Sequence, residues 1–245
     1  MADTERQELA SITAFYYAIE KGANLGTLQE PAINLQDRDE ELYQALLSVY
    51  SDMETRWYRA FIKQAIVFID WLGHRQGSTD TSYKYGRFGS NSIDSIPSSK
   101  TSTLGDWMWD NLTKDQKKLY GSNPKKDSWN PMDVYIVKKS DEQGIKDEIK
   151  EACCENRIGE NVESAAIMEM QSLNQYLAYY TNKHTFIGIS LKETDFGDPK
   201  VTENNLKNDF NHIHTSCGMI TRKLNMSMTV LGAKGKTAKL DFKTN

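Results

Sequence analysis

Apolar residues recur along this chain with two periods, which predict where helices and strands form. A spacing of three or four residues predicts a helix over 4–22, with Gly22 as a suitable stop. The apolar positions of this helix are Leu9, Ile12, Phe15, Tyr16 and Ile19. The same spacing predicts one long helix from Glu40 to about Leu72, because neither Gly nor Pro interrupts it. Residues 23–38 read as a loop.

Two short apolar runs predict β-strands, one over 132–138 and one over 185–192. The residues between them, 141–183, return to the helical period and predict a helical insertion. Beyond the second strand, a helix is expected over 202–216. The alternation after residue 226 then predicts a hairpin that turns at 234–236.

The segment 74–105 is rich in Ser, Thr and Gly and predicts a long loop insertion, followed by a short helix over 106–119. Together the elements predict an α+β fold with α/β character. We expect a central mixed sheet flanked by helices and a mostly helical N-terminal part. Residues 1–39 are expected to pack as a helix and loop on a single domain that spans 40–245.

Composition narrows the classes of protein that the chain can represent. The chain has 245 residues and a net charge of −4, so it is not a basic protein that coats nucleic acid. Its three cysteines, Cys153, Cys154 and Cys217, lack metal-site spacing and favour a reducing compartment. No run approaches the ~20 apolar residues of a membrane span. We therefore expect a soluble protein of the cytoplasm, in a bacterium or a phage-infected host cell.

The side chains best suited to catalysis lie at the ends of the two predicted strands. Asp133 follows Pro131 at the start of the first strand, and Ser190 and Lys192 project from one face of the second. Hydrolysis of a phosphodiester needs a divalent cation, an activated water and positive charge near the phosphate. A carboxylate and a lysine on neighbouring strands could supply the protein's share of these requirements.

The sequence Asn130-Pro131-Met132-Asp133-Val134, followed by Ile189-Ser190-Leu191-Lys192, resembles the PD-(D/E)XK nuclease superfamily. The resemblance implies a restriction-endonuclease-like core and a DNA endonuclease that uses Mg²⁺ or Mn²⁺. It implies catalytic roles for Asp133 and Lys192. Ser190 departs from the family, which usually has an acid there. Some restriction enzymes with Ser-x-Lys supply the acid from the next helix, which makes Glu203 the first candidate.

The resemblance also implies further metal and DNA contacts. Asp133 and Glu203 are the expected metal ligands, and Glu54 suits a carboxylate of the leading helix that binds the metal through water. Weaker alternatives to these acids are Glu41, Glu193, Asp195 and Asp209. The side chains expected to contact nucleic acid are Lys84, Arg87, Lys125 and Lys126, from the loop insertion and a lysine cluster over 114–126. The oligomeric state is open, with a homodimer among the alternatives.

Two other interpretations remain open on the sequence alone. The same fold could be a catalytically inactive nucleic-acid-binding or phage virion-associated protein, with Ser190 marking the lost acid. The chain could also be an unrelated α+β interaction protein. Asp133 could simply cap a turn, and Glu203 could simply favour the dipole of its helix. His212 and His214 are read as partly buried helix residues, because no second ligand cluster accompanies them.

Overall fold

The structure is a computed structural model, and it describes part of the 245-residue chain. The described residues are 3–29, 34–52, 56–76, 82–89, 93–118, 126, 132–151, 162–191, 229–232 and 236–239. The chain divides into two compact units, 1–202 and 203–245. The assignment of 1–39 as a helix and loop packed on a domain over 40–245 stays a prediction.

The N-terminal helix confirms the prediction for residues 4–22. Helix α1 spans Asp3–Tyr16 and continues as a π-helical turn over Tyr17–Lys21. Gly22 ends it with φ of 65°, a left-handed conformation that glycine adopts without steric cost. The α1 side chains from Leu9 onward are mostly buried, so the predicted apolar stripe does face the core.

The prediction of one long helix from residue 40 to 72 is wrong, because the described chain leaves the helical conformation at Tyr50. A short helix α2 (Leu35–Arg38) precedes α3 (Glu40–Val49), and α4 follows over Arg56–Gln76. Tyr50 is extended, and its ring packs edge-on against Phe61 of α4, with 5.1 Å between centroids. The ring contact stabilises the extended backbone at Tyr50, although neither Gly nor Pro marks this break in the sequence.

Three antiparallel strands form the sheet of the first unit, in the order β1-β2-β3. They are β1 (Tyr83–Arg87), β2 (Val134–Lys138) and β3 (Phe186–Ile189). The latter two confirm the predicted strands. The prediction of a loop over 74–105 is wrong for the residues that form β1. The described strands all pair in antiparallel fashion, whereas a mixed sheet was expected. In β1, aromatic residues alternate within a Ser- and Gly-rich segment, and their burial against α1 fixes the extended conformation.

Helices cover both faces of this sheet. Tyr83 and Tyr85 of β1 lie in one apolar core with residues of α1 and α4. Tyr135 and Val137 of β2 lie in a second core on the opposite face. Because both faces are covered, β2 is a nearly continuous apolar run rather than an alternating one.

The second core is built from the helices that precede and follow β2. They are α5 (Leu104–Asn111), α7 (Glu142–Ile149) and α8 (Val162–Asn182). A 3₁₀ turn at Ser98–Lys100 precedes α5, and the short helix α6 (Lys114–Lys118) follows it. These helices confirm the helical insertion, and they split the helix predicted over 106–119 at Leu112, whose backbone is extended. None of the helices in the described ranges is long and apolar enough to cross a membrane.

The second unit contributes a hairpin to the described structure. Strands β4 (Thr229–Gly232) and β5 (Lys236–Lys239) pair in antiparallel register, which confirms the predicted C-terminal hairpin. The helix predicted over 202–216, with His212 and His214, lies outside the described residues.

Candidate active site

The start of β2 and the end of β3 meet at one end of the sheet, because the two strands run antiparallel. The amide of Asp133 donates to the carbonyl of Ile189 at 3.0 Å. In return, Asp133 Oδ2 accepts the Leu191 amide at 2.5 Å and the Ser190 hydroxyl at 3.3 Å. The structure therefore brings together two residues, Asp133 and Ser190, that the sequence predicted as partners across 57 positions.

The local sequence explains why the carboxylate lies there. Regular pairing stops at Ile189, so the next amides have no strand partner, and the Asp133 side chain takes the place of one. Leu191 is buried in the core beside α1, which holds its amide in place. A carboxylate that accepts a backbone amide is strongly held and keeps a defined orientation. Lys192 follows Leu191 directly in the sequence.

Several other predicted site residues lie outside the described part of the chain. They are Lys192, Glu203, Glu54 and Lys125, together with the weaker candidates Glu193, Asp195 and Asp209. Their placement therefore stays a prediction. Glu41 is described and exposed on α3, where its carboxylate lies 3.3 Å from Lys21 Nζ. It takes no part in the Asp133 contacts given above.

A buried charge cluster borders the Asp133 site. Arg87 donates through Nε to Glu8 at 2.5 Å and through Nη1 to Glu5 at 3.0 Å. Burial raises the pKa of Glu8 above 4.5, Arg87 opposes this, and the negative charges of Asp133 and Glu5 raise it further. Arg87 pairs in register with Val134, which follows Asp133, so the cluster lies at the same end of the sheet as Asp133.

The sequence prediction missed Glu5 and Glu8, although a signal for both exists. They continue the spacing of the α1 stripe towards its N-terminus, as 5, 8, 12, 15 and 19. An acid at a stripe position indicates a cation opposite it, since a buried carboxylate needs a partner. Arg87 likewise follows Tyr83 and Tyr85 on one face of β1. The two stripes end in opposite charges at the same corner of the fold.

The described cations that the sequence assigned to nucleic acid have carboxylate partners within the fold. Arg87 is held by α1, as described above, and is buried. Lys84 donates to Glu142 of α7 at 2.5 Å. Lys126 lies 2.8 Å from Asp110. Arg87 and Lys84 thus neutralise acids that are themselves at most partly exposed, and both cations lie on β1 rather than in a loop. Their contact with nucleic acid stays a prediction.

Glu142, the acid partner of Lys84, should make the stability of the protein depend on pH. Burial alone would raise the pKa of Glu142, but hydrogen bonds from Lys84 and Ser102 and the charge of Lys146 lower it below 4.5. Because the folded pKa lies below the unfolded one, ionised Glu142 adds stability above pH ~4.5, which is lost as the pH falls through the folded pKa. We expect Glu142→Gln to destabilise the protein at pH 7 and to cost progressively less in acid.

Urea unfolding of the wild type and Glu142→Gln across this pH range would measure that difference. Gln143→Ala is a matched control, because Gln143 is the exposed neighbour of Glu142 on α7 and its amide donates to the exposed Asp147. Its effect should stay small across the window, because both groups of that contact are exposed. A constant difference between wild type and Glu142→Gln from pH 7 to acid would contradict the prediction.

The donors at Asp133 suit a hard cation in kind, since Mg²⁺ prefers carboxylate and other oxygen ligands. The described residues offer few such ligands at this position. Within the described ranges no group of three or more His, Cys, Asp or Glu side chains is arranged to hold a metal. Asp133 thus supplies one carboxylate and Ser190 one hydroxyl. Glu203, outside the described residues, stays the first candidate for a second carboxylate at this position.

The end of the sheet that carries Asp133 has the geometry on which a functional site could be built. That geometry has three parts, which are the Asp133 carboxylate, the end of β3 and the charge cluster on α1. Each is held by contacts between elements that are distant in sequence, so each depends on the tertiary fold rather than on one local turn. Comparison with protein-family models, with curated proteins and with solved structures finds no match for this chain.

Proposed function

We propose that this protein is a metal-dependent DNA endonuclease on a restriction-endonuclease-like core. The observation that carries the proposal is the contact of Asp133 with Ser190 and the Leu191 amide, one residue before Lys192. A carboxylate just before β2, with a lysine directly after Leu191 in the sequence, fits hydrolysis of a phosphodiester. Helices on both faces of the sheet, with α1 leading, agree with this core.

Each residue has a defined part in the proposed reaction. A Mg²⁺ or Mn²⁺ ion would supply the Lewis acid that stabilises charge on the scissile phosphate. Asp133 would hold it, with the carboxylate oriented by the Leu191 amide and the Ser190 hydroxyl. Lys192 would orient the attacking water and offset developing negative charge. A second carboxylate, with Glu203 as first candidate, would complete the ligand set.

The DNA would reach this end of the sheet across a surface that carries lysines. Lys114 and Lys118 of α6 are exposed, and the ion pair of Lys118 with Asp115 is itself at the surface. Lys117 lies 5.1 Å from the Trp109 ring centroid. We propose this helix, rather than Lys84 and Arg87, as a source of phosphate contacts.

One observation favours a second candidate, an inactive nucleic-acid-binding or virion-associated protein on the same fold. Asp133 Oδ2 already accepts two hydrogen bonds, and Ser190 stands where an active member of the superfamily usually has an acid. In that case Asp133 caps the end of β3 and binds no metal. The two candidates differ in a single measurable property, which is metal-dependent cleavage.

Plasmid nicking and linearisation in Mg²⁺ or Mn²⁺ test the proposal directly. We expect the wild type to cleave with either ion and to stop when EDTA removes it. Lys192→Ala should lower the rate about 100-fold, the size of a lost electrostatic contact to the transition state. Lys139→Ala is the matched control, because Lys139 is an exposed lysine just beyond the other end of β2. It should cleave like the wild type.

The outcomes separate the two candidates. Residual nicking that is equal in the wild type and Lys192→Ala indicates contamination and contradicts the proposed activity. Retarded DNA in a gel-shift experiment without any cleavage supports the inactive nucleic-acid-binding candidate instead.

A further inference from the structure

A buried arginine beside Asp133 is the strongest feature that the proposed function leaves unused. Arg87 is the last residue of β1 and pairs in register with Val134, which directly follows Asp133. Its guanidinium donates to Glu8 and Glu5 of α1. Arg87 therefore ties the first turns of α1 to the end of the sheet that carries Asp133.

Three carboxylates and one guanidinium share this corner of the described structure. Glu5 and Glu8 come from α1, Arg87 from β1 and Asp133 from the start of β2, while the end of β3 contributes a hydroxyl and an amide. Beyond burial and Arg87, the charge of Asp133 is among the causes that set the pKa of Glu8. Without Arg87, the acids of α1 and Asp133 would repel each other uncompensated, and buried charge of one sign is costly.

We propose that Arg87 is a positioning residue of the Asp133 site, which neutralises the acids of α1 so that the Asp133 carboxylate stays on the Leu191 amide. The inference rests on the proposed function, because the orientation of Asp133 affects cleavage only if Asp133 holds the metal. Arg87 then acts through Glu8 and Asp133 and does not touch the DNA. A substitution of Arg87 should disturb Asp133 selectively and leave the rest of the sheet in place.

Hydrogen exchange of the Leu191 amide reads the position of Asp133 without any need for activity. We expect Arg87→Gln to accelerate this exchange about tenfold relative to the Ile136 amide in the middle of β2. Lys100→Gln is the matched control, because Lys100 pairs with Glu20 at the other end of the α1 segment. It removes an ion pair from the same helical layer and should leave the ratio of the two exchange rates unchanged.

A second substitution separates charge balance from simple loss of packing. Glu8→Gln added to Arg87→Gln removes the unpaired carboxylate and should return Leu191 exchange to within about threefold of the wild type. In plasmid cleavage, Arg87→Gln should lower kcat about tenfold with an unchanged KM for DNA, and the double variant should recover.

The outcomes that overturn the inference are specific. Unchanged Leu191 exchange in Arg87→Gln does so, as does an equal acceleration in Lys100→Gln or a double variant no slower in exchange than the single one. A wild type that cleaves no DNA contradicts the proposed function alone, since amide exchange reports the Asp133 contact independently.

Discussion

Asp133→Asn is expected to lower metal-dependent DNA cleavage about 1,000-fold while the protein stays folded. The loss is the size expected when a metal that supplies several kcal/mol of charge stabilisation is no longer held. The fold should persist, because the amide oxygen of Asn can still accept the Leu191 amide and the Ser190 hydroxyl. Removal of the negative charge also relieves its repulsion with Glu8. Single-turnover cleavage in Mn²⁺, with thermal unfolding alongside, measures both effects.

Asp147→Asn is a suitable control, because Asp147 is an exposed acid on α7 whose carboxylate accepts from the exposed Gln143. It changes the net charge of the protein by the same amount and should cleave at the wild-type rate. Asp133→Ala should behave differently from Asp133→Asn, since it leaves the Leu191 amide without an acceptor and adds a loss of about 1–3 kcal/mol in stability. Cleavage by Asp133→Asn at the wild-type rate would contradict the metal role and leave only the capping role.

Gly86→Ala is expected to destabilise the protein by about 2–4 kcal/mol. Gly86 pairs with Tyr135 across β1 and β2, and a Cβ at Gly86 would collide with the Tyr135 ring and hydroxyl. That ring cannot move at low cost. It is fully buried, its hydroxyl accepts the Gly105 amide at 2.8 Å, and it donates to the Ser102 carbonyl at 3.1 Å. Urea unfolding gives the difference in free energy.

Two other glycines provide matched substitutions. Gly188 lies on the other side of Tyr135, and a Cβ there would meet the Met132 side chain, which is flexible and only partly buried. Gly188→Ala should therefore cost less than Gly86→Ala. Gly144→Ala should stabilise by about 0.5–1 kcal/mol, since a Cβ on this α7 residue meets nothing within 4 Å and alanine favours helix. Equal effects at Gly86 and Gly188 would contradict this account of the Tyr135 environment.

The sequence predicted β2 and β3 because their apolar runs are short, continuous and bounded by polar residues. The strand prediction rests on apolar runs that burial on two faces preserves. The resemblance to the nuclease motif placed Asp133 and Ser190 near each other, and the antiparallel pairing of β2 with β3 brings them together. The end of the first helix at Gly22 could also be predicted from the local sequence, because glycine readily adopts the left-handed backbone found there.

The features that escaped prediction depend on distant partners. The flanks of β1 resemble a loop, and its extended form is fixed by β2 and by α1 rather than by its own composition. The break after α3 depends on the packing of Tyr50 against Phe61. The positions of Glu8 and Arg87 depend on each other across 79 residues, so neither could be assigned from its own segment.

The register of the three strands also bears on how the protein folds. Tyr85 pairs with Ile136 and Ile136 with Ile187, so each strand finds its partner about 50 residues away. Such distant pairings form slowly, because a long loop must close before any contact compensates its entropy. During synthesis β1 and β2 can pair before α8 exists, whereas the Asp133 contact must wait until Leu191 has emerged. The candidate active site is therefore among the last parts of the sheet to form.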